Sequence, residues 1–151
     1  MNIFVLDSDV GEAAKAHVDS HVIAMCKEYA QILSAVHHVY KSPITKLVYA
    51  NNHIGNRFIK WASASKQNYD WLYSLWSSLH EEFMYRRGKG HESFLKLGRY
   101  LSLAPKDIPD IGITTPAIPN DSALTTPKSF DEAVQEYRKY YALRKAHLHT
   151  W

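Results

Sequence analysis

Asp19-Ser20-His21-Val22-Ile23-Ala24-Met25-Cys26-Lys27-Glu28-Tyr29-Ala30-Gln31-Ile32-Leu33-Ser34-Ala35-Val36-His37-His38-Val39-Tyr40 is the stretch on which the fold turns. Its apolar residues Val22, Met25, Cys26, Tyr29, Ile32, Leu33 and Val36 recur at the three-and-four spacing of one helical face, for about four turns. Beside that face runs a second stripe of His17, His21, Ala24, Glu28, Gln31 and Ala35. His21 and Glu28, seven residues apart, lie two turns from each other on one side of the helix. Ala24 between them is small, so an imidazole and a carboxylate flank a hollow, an arrangement suited to acid/base chemistry. The plainer alternative is a solvated flank that happens to carry polar residues.

Upstream, Asn2-Ile3-Phe4-Val5-Leu6 reads as a short extended arm, and Asp9-Val10-Gly11-Glu12 has the form of a capping box. The central helix should end before Ser42-Pro43, because proline disfavours helix in the residue before it. Downstream, Asn56 is placed to cap a second long helix. Its apolar positions run from Phe58 through Trp61, Ala62, Ser65, Tyr69, Leu72, Leu75, Trp76 and Leu79 to Phe83, and Arg86-Arg87-Gly88 stops it. A third helix is expected from Glu92 to Leu101. Ala104 to Lys128 holds five of the six prolines and no sustained period, so it reads as a long surface loop. Ser129-Phe130-Asp131-Glu132 opens a last helix through Tyr137, Tyr140 and Tyr141. The expected architecture is mainly α: one compact domain over residues 1–151, with three to four packed helices, a short N-terminal extended arm and a long Pro-rich loop.

Composition narrows the function classes. The chain of 151 residues carries a formal charge of +3, nine His, ten Tyr, five Phe and four Trp. A mildly basic balance is compatible with nucleic acid without demanding it. The single cysteine, Cys26, excludes an intrachain disulfide framework and any multi-cysteine zinc site, and suits a reducing cytoplasm. Met1 to Asp7 is too short and wrongly flanked for a signal peptide or a membrane span.

Several groups could carry chemistry. Trp61, Tyr69, Trp71 and Trp76 share a helix with Arg57, Lys60 and Lys66, which could stack bases and grip phosphates, or could be core packing with a basic flank. Arg86-Arg87-Gly88-Lys89-Gly90-His91 is the densest basic run; it could clamp phosphate, although cations at a helix C-terminus are also favoured by the helix dipole. His17, His21 and Glu28, with His147-x-His149 near the end, permit a metal-dependent nuclease reading, but they lack the zinc-protease pattern. No metal and no cofactor is expected.

The Asp19–Val39 stretch resembles a helix of the phage endonuclease V family, pyrimidine-dimer DNA glycosylases with AP lyase activity. The likeness rests on Asp19-Ser20-His21, on Glu28 seven residues after the histidine with Lys27 before it, and on Gln31 and Ser34-Ala35-Val36 beyond. Weaker likeness extends to Asn52-His53-Ile54-Gly55, to Glu82 through Arg87-Gly88, to Tyr137-Arg138-Lys139-Tyr140-Tyr141, and to the opening Met1 to Leu6. Asn68-Tyr69-Asp70-Trp71-Leu72 is also similar to a helix in a group of small phage proteins.

The resemblance implies double-stranded DNA with a damaged or modified pyrimidine as partner, Glu28 as the catalytic carboxylate and His21 in the active site. It also implies an N-terminal amine as nucleophile. The family uses a threonine amine; here the second residue is Asn2, so the amine expected is that of Met1. Lys27 stands where the family has arginine and Gln31 where it has another. On this reading Lys27, Gln31, His53, Arg57, Lys60, Arg86, Arg87 and Lys89 contact DNA, and Trp61 or Tyr69 stacks on an extruded base. The alternative is a DNA- or protein-binding module on the same fold.

Overall fold

The structure, a computed structural model, describes residues 2–50 and 55–148. Met1, Asn52, His53 and His149 therefore lie outside the described residues. Among those described, six α-helices and no strands are found: α1 Val10–Ala16, α2 Asp19–Val39, α3 Arg57–Ala64, α4 Lys66–Arg87, α5 Glu92–Leu101 and α6 Phe130–Tyr140. A π-helical turn, Tyr141–Lys145, and a 3-10 turn, Ala146–Leu148, follow α6. None of these helices is long and apolar enough to cross a membrane.

Local chemistry sets the helix ends. Asp9 Oδ1 accepts the Glu12 N–H at 2.9 Å and Ser129 Oγ accepts the Glu132 N–H at 3.1 Å, the N-cap half of each expected capping box. The Asp9 N–H instead donates to Asp7 Oδ1, and Glu132 Oε2 accepts the Lys128 N–H. After α2, Lys41 takes a positive φ of 50° and the Ser42 N–H returns to the His37 carbonyl at 3.0 Å, just before Pro43. Gly88 ends α4 with φ 72°, its N–H on the Met84 carbonyl at 2.8 Å.

The second long helix expected from Asn56 to Arg87 is two helices. Ser65 is extended (φ −154°, ψ 155°), and its hydroxyl accepts the Asn68 N–H at 3.0 Å. A serine that caps a new helix outweighs the continuing apolar period. The period survives the break because α3 and α4 both pack on α2.

α2 is the central helix, in contact with α3, α4 and α5, while α1 lies against α4. Its face of Val22, Met25, Cys26, Tyr29, Ile32, Leu33 and Val36 is buried, as the spacing requires. The facing α4 contributes Tyr69, Leu72, Leu75, Trp76 and Leu79, all fully buried, and the Trp76 indole donates to the Cys26 carbonyl at 2.7 Å. The arm Ile3-Phe4-Val5-Leu6 belongs to the same core.

The Pro-rich loop is tied down along α3, α4 and α6. Asn68 exchanges two hydrogen bonds with Thr114 (2.7 and 2.9 Å), Trp61 Nε1 donates to the Thr114 carbonyl, Gly112 N–H donates to Gln67, and the Tyr137 hydroxyl donates to the Ala117 carbonyl. A long loop without secondary structure thus satisfies its backbone with side chains from helices.

Candidate functional site

The site forms where the arm, the start of α2 and the turn after α6 meet. Phe4 stacks on the His21 ring, with centroids 4.4 Å apart and planes 15° from parallel. The Phe4 N–H donates to the Tyr29 hydroxyl at 3.0 Å, so the arm is pinned to α2 at residues on either side of Ala24. From the other direction the Tyr141 hydroxyl approaches His21 Nδ1 at 2.6 Å and accepts the Val18 N–H at 3.3 Å.

The proton directions in the deeper layer follow from donor chemistry. The Ala13 carbonyl can only accept, so His17 Nδ1–H donates to it at 2.7 Å. His17 Nε2 then accepts the Tyr29 proton at 2.7 Å, while the Tyr29 oxygen receives Phe4 N–H. Burial holds His17 neutral, with a pKa lowered to about 3 against the favourable Ala13 bond and with help from the positive field of Arg86. His21 is lowered to about 4, first by burial and then by the Lys145 charge. At neutral pH His21 is an uncharged imidazole, and in the tautomer whose Nδ1 accepts the Tyr141 proton its Nε2 is free to donate.

Glu28 is half-buried and lies two turns, about 10 Å, along the same helix from His21. Ala24 between them is exposed. Gln31, one turn past Glu28, is also half-buried.

Other candidates fall elsewhere. Tyr69 is a core residue whose hydroxyl donates to the Leu101 carbonyl at 2.7 Å, and Trp61 is buried against the loop; neither ring is available to stack on a base. Their helical spacing reports packing. Arg86 is a tie rather than an open clamp: its guanidinium reaches Glu82 at 2.9 Å, Asp19 at 3.1 Å and the carbonyls of His17 and Lys15. It therefore binds the end of α4 to the α1–α2 junction, next to His21. Arg87 is exposed, 3.9 Å from Asp19, and Lys89 is exposed beyond Gly88. Lys27 and Lys60 are exposed, whereas Arg57 donates to the Ile118 carbonyl at 3.1 Å. Both nitrogens of His17 are occupied within the protein, and among the described residues no three His, Cys, Asp or Glu side chains converge as metal ligands.

No family model, curated protein or solved structure matches this chain. Sequence reasoning had named His21 and Glu28 but missed Phe4 and Tyr141, which orient His21. The only signal for Tyr141 was its place in an aromatic C-terminal segment.

The neutral histidines make acid stability a direct readout. His17 (about 3), His21 (about 4) and His37 (about 4) all lie below their ordinary value of 6.5. Between pH 6.5 and 4 the unfolded chain therefore binds more protons than the folded one, and stability falls as pH falls. Above pH 7 these groups contribute no slope. At one pKa unit per about 1.4 kcal/mol, the loss by pH 5 reaches several kcal/mol, a large part of a typical total of about 5–15 kcal/mol. Urea midpoints should be level from pH 8 to 7 and drop steeply by pH 5; equal midpoints at pH 7.5 and 5 would contradict the assignment.

Proposed function

We propose that this protein is a DNA glycosylase/AP lyase-like enzyme that acts on a damaged or modified pyrimidine in double-stranded DNA. The observation that carries the reading is the seating of the arm on α2, with Phe4 stacked on His21 and bonded to Tyr29, the neighbour of Glu28. Three residues of chain span about 10 Å at most, so the reading requires the amine at the start of the arm to lie within that distance of Phe4, on the side of α2 that carries Ala24. The Met1 amine, with a free pKa of about 8, is neutral in a useful fraction of molecules at pH 7. It attacks the deoxyribose C1′, the base departs with a proton, and an imine remains on the sugar.

Glu28 stabilises the positive charge that develops on the sugar and then takes the C2′ proton as the 3′ phosphate leaves. His21, neutral and held by Tyr141 and Phe4, donates a hydrogen bond from Nε2 and orients the sugar. The exposed cations Lys27, Arg87 and Lys89 attract the phosphate backbone.

Borohydride trapping on an abasic duplex tests the reading, with intact mass recorded first to establish the first residue. The expected product is a covalent protein–DNA adduct on the N-terminal peptide, formed equally in EDTA. Duplex binding without any adduct would replace the enzyme by a binding module. Cleavage abolished by EDTA and restored by one metal would favour the nuclease reading.

A further inference from the structure

A second cavity, away from His21, lies where the end of α2 meets the end of α5. It measures about 330 Å³ and is walled by Pro43, Ile44, Tyr100, Leu103, Ala104 and Pro105, with His37 and Ser42 on its floor and Arg99 and Lys106 at its edge. Its size falls at the small end of ligand sites, roughly 300–1,000 Å³.

The floor offers a ligand little. Tyr69 donates its proton to the Leu101 carbonyl, so its oxygen accepts His37 Nε2–H at 2.8 Å. His37 Nδ1 is left to accept the Ser42 hydroxyl proton at 2.8 Å. Every proton in this relay already has an acceptor, which disfavours a sugar or another ligand needing many donors. The remaining wall is apolar and rigid: Pro43 and Pro105 have fixed φ, and Ser42 is held by its backbone bond to His37. Leu103 is 77 % exposed at the rim, apolar surface that an occupant would cover.

The edge is different. Arg99 is held by a 2.8 Å hydrogen bond to the Tyr100 hydroxyl and lies 4.7 Å over the Tyr100 ring, so its guanidinium is positioned before any ligand arrives. Among the described residues, neither Arg99 nor Lys106 has a carboxylate partner. An apolar chamber with a preset guanidinium and an exposed lysine at its mouth complements one kind of molecule. We propose that this cavity binds a small amphiphile with an apolar body and a single carboxylate head, the body between Ile44, Leu103 and Pro105 and the head on Arg99 and Lys106.

The test is an amide-resolved NMR titration of the full chain with octanoate, octanol and acetate. Octanoate should give saturable shifts confined to residues 42–44 and 99–106, octanol should bind about tenfold more weakly, the scale of a hydrogen bond to a charged group, and acetate should give none. The exposed double variant Arg99→Gln/Lys106→Gln should reduce octanoate to the level of octanol. Ala104→Phe, which fills the chamber, should abolish both. Octanol binding as tightly as octanoate, unchanged affinity in the double variant, shifts scattered elsewhere or no saturable binding would each overturn the proposal. Because Arg99 and Lys106 lie outside the His21 site, none of these outcomes bears on imine trapping.

Discussion

Glu28→Gln should lower turnover on abasic DNA by about a hundredfold or more, the usual scale for a positioned acid/base group, while leaving binding of the same duplex intact. The substitution keeps the length and helix propensity of the side chain and removes only its charge. Single-turnover cleavage should fall together with imine trapping, because in the proposed mechanism the carboxylate serves both the charge on the sugar and the elimination that follows. Cleavage at the wild-type rate would reduce Glu28 to a polar flank of α2. Its position one residue before Tyr29 makes the folding control necessary, since Tyr29 carries both His17 and the arm. A mutant with an unchanged urea midpoint and lost turnover separates chemistry from packing.

Arg86→Ala should cost about 2–4 kcal/mol of stability, below the full scale for a buried ion pair because Asp19 is partly exposed. The guanidinium is only 13 % exposed, and its removal strands Glu82, Asp19 and two carbonyls at the α1–α2 junction. Arg86→Lys should recover little of this, because an ammonium cannot fork to four acceptors on different elements. Lys89→Ala, at an exposed turn, should shift stability by no more than about 0.5 kcal/mol and act instead on the salt dependence of DNA binding. Urea denaturation of the three variants checks the contrast. An Arg86→Ala protein as stable as wild type, with a flatter salt slope, would return Arg86 to the phosphate clamp.

Much of the fold was legible because its determinants are local. The buried face of α2, the caps at Asp9 and Ser129, the stop at Gly88 and the loop from residue 104 depend on residues within a turn or two of one another. The break at Ser65 escaped because the apolar period does not register whether one helix or two carries it. Glu28 and His21 were readable as a pair, since a helix converts a spacing of seven into a shared side. The aromatic stripe was not: Trp61 and Tyr69 have the same spacing whether they face solvent or core, and only the loop at Thr114 and the end of α5 at Leu101 decide that they are covered.

What surrounds His21 was beyond any local reading. Tyr141 lies 120 residues away in sequence, Phe4 reaches His21 only because the arm folds back, and Arg86 meets Asp19 across 67 residues. Local propensity and periodicity determined which helices form and which side chains share a face. The meeting of those faces, and with it the neutral state of His17 and His21 and the anchoring of Arg86, was decided by tertiary packing, because burial and distant partners set both charge and availability.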